Sequence, residues 1–443
     1  MTTLACLSVS GSRVPLPVLE AVSFTPDELH PALLDLRERT GADQLCVLST
    51  CERTELYACW SGPADPRVLV GALAGSRRLE TGQVEEAATV LSGSDAVRHL
   101  LRVAAGLESF VLGERDIVRQ VRTAAEASRK AGLGGLYLER LMASAVNTAR
   151  RVHRGTRLSE DGRSVAAAAV RRAAEELGGS LEGRRVLVVG AGQVATEATV
   201  TAAHLGAAVT VCNRTARHAA KLAASGATVV DLGALVEELA VTDVAVFGTA
   251  APYRLLDAAS LAGRPTGTEQ DLLIVDLCLP RNVDPAVRTV AGVRLIDLDD
   301  MRLVGDPGSE GVTEDFVRAN EIVDGELARY LRWLAGRSAA GAVRRLRADV
   351  DSWATCQARQ ASLGYPDQVR PAIEEGVRRA VRRLAHAPTK RLLEAAEAGD
   401  ERLVEVLAGV FAADPTGAAQ MSSRSSSRAT TGQAPSDQFE MTV

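Results

Sequence analysis

The chain has 443 residues, 46% of them hydrophobic and 24% charged, and a formal net charge of −5. That length exceeds one ordinary core, and the composition is that of a globular, multidomain protein, not a disordered or fibrous one. No apolar run approaches the roughly 18 residues of a membrane span, and the net acidity excludes a general polyanion binder.

In chain order, residues 1 to about 157 mix strand-like runs (Leu4 to Ser8, Leu45 to Leu48) with helical periodicity over Ala96 to Ala104 and Ile117 to Ala131, an α+β pattern. Within it "VLSTCERTELY", residues 47–57, sets Cys51 among Ser49, Thr50, Glu52, Arg53, Thr54 and Glu55. A cysteine kept for packing prefers apolar neighbours, whereas a reactive thiol needs an electropositive, partly exposed setting. Residue types alone leave both a turn residue and a nucleophile open. From 139 to 157, Arg140, Arg150, Arg151, Arg154, Arg157 and His153 face one acid, Glu139. Such a stretch is either a solvated helix face or a local phosphate-binding patch.

From Arg185 to about Leu298, short β-branched runs alternate with Ala-rich helical stretches, which implies a parallel sheet covered on both faces. Beyond residue 311 nearly everything reads as helix. Phe316, Ala319, Val323, Leu327, Tyr330 and Leu334 form one apolar stripe, expected to pack on a partner chain. Residues 413–443 are rich in Ser, Thr, Gly and Ala and are expected to be disordered. Seven cysteines without a CxxC pair argue against a disulfide framework or a zinc site and for a cytoplasmic protein, so no metal is expected.

"RRVLVVGAGQVATEA" supplies a G-x-G-x-x-A turn between a strand and a helix. Gly190 permits the tight turn, Gly192 admits a pyrophosphate, and Ala195 allows close helix–strand contact, so Gly190, Ala191, Gly192, Gln193, Val194 and Ala195 are expected to cradle a dinucleotide. At the end of the next strand, where an NAD-binding chain usually carries an acid, stand Asn213, Arg214 and Thr215. A guanidinium and a hydroxyl welcome a 2′-phosphate, which points to NADPH. A nicotinamide domain behind a polar cysteine suggests that Cys51 accepts an acyl group as a thioester, which hydride reduces to an aldehyde.

"LSTCERTELY", "GLESFVLGERDIVRQVRTA", "GAGQVATEA", "CNRTARHAAKLA", "DLCLPRNVDP" and "LAHAPTKRL" resemble, in order over roughly residues 4 to 410, the signature blocks of the glutamyl-tRNA reductase family. The resemblance implies a multidomain fold. An α+β N-terminal catalytic domain (1–157) and an α/β Rossmann-like NADP domain (158–305) would precede a long helix leading into an all-α dimerisation domain (311–412), with the tail 413–443 beyond. It implies reduction of glutamyl-tRNA(Glu) to glutamate-1-semialdehyde, the first step of C5-pathway tetrapyrrole (porphyrin, haem) synthesis, in a homodimer. Hand-over of the aldehyde to glutamate-1-semialdehyde aminomutase is a further implication. The family's nucleophile falls on Cys51 and its activity-linked histidine on His99. Its glutamate-recognition residues fall on Thr50, Glu52, Arg53, Ser109, Glu114, Arg115, Asp116 and Gln120, with Arg53 as the counter-ion for the substrate carboxylate.

Several positions depart from the family pattern. Glu52 stands where Asn is usual, and the added charge should raise the neighbouring thiol's pKa. Arg115 and Asp116 replace a Pro-Gln or Asp-Gln pair, Arg119 replaces a Gly, and "SVSGSRVPLP" lacks the usual His-Arg/Lys-Thr segment. These changes gather around the substrate pocket and leave open a divergent paralogue. Two other readings stand beside the reductase. One is a shikimate-dehydrogenase-like NADP enzyme, which has no use for Cys51. The other is a non-catalytic, tRNA-binding paralogue.

Overall fold

The computed structural model describes residues 2–158, 164–223, 226–261, 271–301, 310–397 and 400–409. The expected disordered tail, 413–443, lies outside the described residues. The chain divides into two compact units between Tyr330 and Leu331.

The first unit holds two sheets. Strands β1 (Thr3–Ser10), β2 (Gln44–Ser49), β3 (Arg53–Trp60) and β4 (Thr89–Ser92) form an antiparallel sheet in the order β2-β3-β1-β4. Every residue of β3 is buried. Alternation along the strand explains how. Leu56, Ala58 and Trp60 join Leu7, Val9, Leu45 and Val47 in a core with Leu33, Leu36, Leu69 and Leu73 of the helices Leu29–Thr40 and Val68–Arg77. Glu55 and Tyr57 point the other way, where the helix Gly93–Ala104 brings His99 against Glu55.

Strands β5 (Arg185–Val189), β6 (Ala208–Asn213), β7 (Thr228–Asp231), β8 (Val244–Phe247), β9 (Leu272–Asp276) and β10 (Val293–Ile296) form the parallel sheet, in the order β10-β9-β8-β5-β6-β7. Counted from β5 this is the 3-2-1-4-5-6 order of a doubly wound dinucleotide-binding sheet, whose connections reverse direction between β5 and β8. Val186, Val188, Val244, Val246, Leu273 and Val275 pack beneath the helices Val165–Glu176 and Gln193–His204. Leu187, Val189, Phe247, Leu272 and Ile274 form the opposite layer. Both faces are covered, as the β-branched runs require.

The N-terminal segment is stitched to this second sheet by polar contacts. Glu20 receives Arg281 through the backbone N–H (2.7 Å) and through Nη2 (2.6 Å), and the Asp299 carboxylate accepts the Leu16 N–H at 3.2 Å. A bidentate arginine–carboxylate pair adds direction as well as attraction.

The long helix Glu310–Ser362 corrects one expectation. Ala319, Val323, Leu327 and Tyr330 are buried within the single chain, and the Tyr330 hydroxyl donates to the Tyr137 carbonyl at 3.0 Å. Arg102 stacks over Phe316, Arg151 pairs with Glu326, and Arg98 pairs with Asp324. From Phe316 to Tyr330 the stripe is therefore covered by the chain's own N-terminal helices, which its period could not reveal. The second unit has its own core, built by Leu346, Val350 and Ala354 with Val381, Leu392 and Val404 of the helices Arg370–Leu384, His386–Glu397 and Glu401–Ala408.

A chain ending at Tyr330 should accordingly unfold cooperatively in denaturant and sediment as a monomer. Aggregation of that fragment would show that the stripe needs a second chain.

Candidate active site

The turn between β2 and β3 presents Thr50, Cys51 and Glu52. Thr50 donates its N–H to the Arg53 carbonyl (2.8 Å), while its hydroxyl accepts the N–H groups of Glu52 (3.1 Å) and Arg53 (3.2 Å). A threonine side chain that satisfies two turn amides fixes the backbone on which Cys51 rides. Outside the turn, the Glu52 carbonyl accepts the Gly11 N–H at 2.7 Å, and the Ser49 hydroxyl accepts the Phe24 N–H at 2.9 Å.

Cys51 is half-buried and packs against the apolar layer of the parallel sheet that contains Leu277. Its thiol thus leaves one sheet and meets the other. Burial pushes the Cys51 thiol well above its ordinary range; Glu52 and then Glu114 push the same way, and Arg53 offsets them only in part. The added charge of Glu52 acts in the direction expected from the sequence.

Arg53 is 1% exposed. Nη1 donates to Glu55 at 3.3 Å, Nη2 donates to the Glu108 carbonyl and lies 3.7 Å from Glu52, and Nε is buried with no partner among the described residues. Glu55 collects four donors: Arg53, the Ser8 hydroxyl (3.0 Å), the Tyr57 hydroxyl (2.6 Å) and His99 Nε2 (2.8 Å). Burial alone would raise Glu55, but His99, Arg53 and Tyr57 outweigh it and hold the carboxyl at about 2. Its share of stability is therefore present above the ordinary carboxyl pKa and is lost as pH falls toward 2. His99 thus reaches the turn through Glu55 and Arg53. Cys6, Glu55 and His99 bring donor atoms within 4.8 Å of one another. The Arg53 guanidinium on the same carboxylate opposes a cation there.

The loop before the helix Asp116–Lys130 closes over the turn. Glu52 Oε2 accepts the Phe110 N–H at 3.2 Å, whereas Glu52 Oε1 and Ser109 Oγ are buried without partners. Gly113, at φ 80°, lets the loop fold against Leu158, whose carbonyl would lie 2.2 Å from any Cβ there. Burial raises Glu114 well above the carboxylate range, with Glu52 and Asp116 adding to it. Burial and then the charge of Glu197 raise Asp116 to about 6, against Arg119. Asp116 accepts the side-chain amide of Gln193, which also donates to Glu197 at 3.0 Å. Arg115 is exposed and, after burial, contributes to lowering His153 to about 4. Gln120 is half-buried on the same helix.

At the parallel sheet's reversal point, Gly190 takes φ 122°, and a Cβ on it would lie 2.5 Å from the Gly248 carbonyl. Gly192 caps the helix Gln193–His204, and Ala195 is fully buried against the sheet. Asn213 ends β6 and donates to the Thr215 carbonyl at 2.9 Å, with Arg214 and Thr215 exposed beyond it.

Two features escaped the sequence reading. Thr249, after β8, donates its N–H to Cys278 Sγ (3.2 Å) and its hydroxyl to Asn282 (2.6 Å). Asn282 in turn holds the carbonyls of Ala251 and Tyr253. Cys51 is close enough to Cys278 for its charge to add to the upward push that burial and Asp276 give the Cys278 thiol. The "DLCLPRNVDP" block signalled this loop without assigning roles. Glu55 is the other, and a carboxylate inside an apolar strand pattern was its only signal.

A family model described as glutamyl-tRNAGlu reductase, N-terminal domain, matches residues 7–156. Shikimate / quinate 5-dehydrogenase matches 172–304, and glutamyl-tRNAGlu reductase, dimerisation domain, matches 318–413. The chain is 48% identical over 419 residues to glutamyl-tRNA reductase 2 of a Nocardioides species, covering 93% of each protein. It is 33% identical over 402 residues to the glutamyl-tRNA reductase of Rubrobacter xylanophilus, covering 90% of this chain and 93% of that one. Among solved structures, glutamyl-tRNA reductase from Methanopyrus kandleri aligns over 91% of this chain and 98% of that one, at 28% identity and a TM-score of 0.49.

Iodoacetamide at neutral pH should label the exposed Cys356 first and Cys51 next, and the five buried cysteines only on unfolding. Glu52→Gln should speed Cys51 labelling several-fold by lowering the thiol's pKa, as read by peptide mass spectrometry. An unchanged rate would show that this carboxylate does not act on the thiol.

Proposed function

The chain belongs to the glutamyl-tRNA reductase family, and from that premise we propose how its residues divide the reduction of glutamyl-tRNA(Glu) to glutamate-1-semialdehyde, the first step of C5-pathway tetrapyrrole synthesis. Cys51 Sγ attacks the ester carbonyl that joins glutamate to the tRNA 3′ end. The C–S bond forms, the C–O bond breaks, and the ribose oxygen leaves with the thiol's proton. One difficult step becomes two, because a thioester accepts hydride more readily than an oxygen ester. Thr50 holds the turn, while Arg53 Nε and Ser109 Oγ are the buried donors that remain to receive the substrate's carboxylate. His99 is a positioning residue in this scheme, acting through Glu55 on Arg53. Glu114, Arg115, Asp116 and Gln120 border the glutamyl group from the second element.

The residues at the sheet's reversal point fit a dinucleotide: Gly190 leaves no Cβ in the way, and Gly192 opens a helix whose N–H groups favour a pyrophosphate. Gly190 to Ala195 would hold NADPH, with Arg214 and Thr215 at its 2′-phosphate, and the bound cofactor would supply the hydride for reduction of the thioester to the aldehyde with return of the thiol. The observation that carries the reading is the placement of Cys51, which packs against the core layer of the parallel sheet and lies within electrostatic reach of Cys278, just after β9. A charged tRNA as substrate supports a cytoplasmic location. The exposed Arg150 and Arg154 suit its backbone, since Arg151 and Arg157 are already paired with Glu326 and Asp315. The match of residues 318–413 to a dimerisation domain supports a homodimer. Glutamate-1-semialdehyde aminomutase is the natural recipient of the aldehyde.

In single-turnover assays with radiolabelled glutamyl-tRNA, Cys51→Ala should abolish both covalent labelling and semialdehyde formation while NADPH binding persists. Normal turnover in that variant defeats the thioester scheme. NADPH should bind at least about tenfold tighter than NADH, about 1.4 kcal/mol, and Arg214→Asp should erase the difference; equal binding by the unaltered protein would refute the assignment. NADPH affinity should also fall as pH rises through about 6, because Asp116 is neutral below that pH and negative beside the pyrophosphate loop above it. Asp116→Asn should flatten that dependence in calorimetric titrations.

A further inference from the structure

Beside the nucleophile, three buried polar atoms have no partner among the described residues: Glu52 Oε1, Arg53 Nε and Ser109 Oγ. The first is an acceptor and the second a donor, and the hydroxyl can serve as another donor. Buried groups of this kind cost free energy until something satisfies them. An orphan carboxylate oxygen next to orphan donors is the complement of a ligand that carries both a cation and an anion. A glutamyl ester is such a ligand. Its α-ammonium sits on the carbon attached to the ester carbonyl, and its carboxylate lies at the far end of the side chain.

Cys51 must reach that carbonyl, so the ammonium group comes to rest within a carbon's length of the nucleophile's target. Glu52 follows Cys51 directly in the turn and is 4% exposed. Its Oε2 is already bound by the Phe110 N–H, and Arg53 approaches that same oxygen, which leaves Oε1 as the oxygen without a partner among the described residues. Resting on the reductase reading, we propose that Glu52, with Glu114 in electrostatic reach, is the seat of the substrate's α-ammonium group and selects the free aminoacyl ester over an ester without that cation. Burial pushes both carboxyls upward in the ligand-free protein, and the charge of Glu52 adds to the push on Glu114, a cost that a bound cation relieves. Arg53 and Ser109 then remain for the carboxylate, so the two ends of the substrate are recognised by opposite charges in one pocket.

The test uses two small esters that differ only in the ammonium group: the α-methyl ester of L-glutamate and monomethyl glutarate. Each is titrated as a protectant of Cys51 against iodoacetamide in the full-length protein. The amino ester should protect at about tenfold lower concentration, as a buried charge-assisted contact implies, and Glu52→Gln should shrink that gap to about twofold. Equal protection, protection by neither ester, or an unchanged gap in the variant overturns the proposal. If the variant does not fold, the comparison in the unaltered protein decides alone. Semialdehyde formation from glutamyl-tRNA, measured separately, tests the reductase reading. A protein that forms semialdehyde yet protects equally with both esters loses the ammonium seat and keeps its activity.

Discussion

The Glu55 carboxylate is the contact on which the rest of the catalytic half depends. It sits in a strand with no exposed residue and gathers a guanidinium, an imidazole and two hydroxyls. A buried ion pair is poor at adding stability, because desolvation consumes most of the attraction. Removing one partner, however, strands a charge at a cost of about 3–5 kcal/mol. The cluster therefore acts as a constraint more than a source of stability. Arg53 can occupy one position only, and the turn that carries Cys51 is tied to Arg53 by adjacency. From there the constraint passes to the helix Gly93–Ala104 through His99 and to the loop before Asp116 through the Glu108 carbonyl.

A second constraint joins the two sheets. The nucleophile belongs to one and the glycine loop to the other, so chemistry between them needs a fixed relation. Glu20 with Arg281 and Asp299 with the Leu16 N–H supply it on one side, and Gln193 with Asp116 supplies it beside the loop. The two kinds of contact differ in character. The arginine pair is bidentate and joins two full charges, whereas the amide contact depends on a carboxyl held near 6.

Much of the fold was legible in the sequence because its signals are local. The β-branched runs between Arg185 and Leu298 gave six parallel strands, and "GAGQVA" gave the turn between β5 and its helix. Cys51 was legible as an oddity of composition. Other features depend on residues far apart in the chain, and no local period encodes them. Glu55 meets Ser8 across a strand register and His99 from a helix 44 residues on. The stripe from Phe316 announced a buried helix face but not what buries it, and the cover is the chain's own N-terminal half. Arg53 was read as the counter-ion for a substrate carboxylate, and its sequence neighbours do not show that Glu55 and the Glu108 carbonyl hold its two terminal nitrogens.

The double burial of β3 also bears on how the chain finds its register. Side chains alternate along a strand, so a slip of one residue exchanges its two faces. In β3 that exchange would drive Glu55 into the layer of Leu7, Leu45 and Leu56 and bring Leu56 to the imidazole. An apolar strand buried on both sides would tolerate such a slip, since either face is greasy. Here the misaligned hairpin carries an unpaired carboxylate in hydrocarbon and is expelled. The charges that set the geometry of catalysis thus serve as a proofreading mark for assembly, and a chain that folds at all folds with its nucleophile in place.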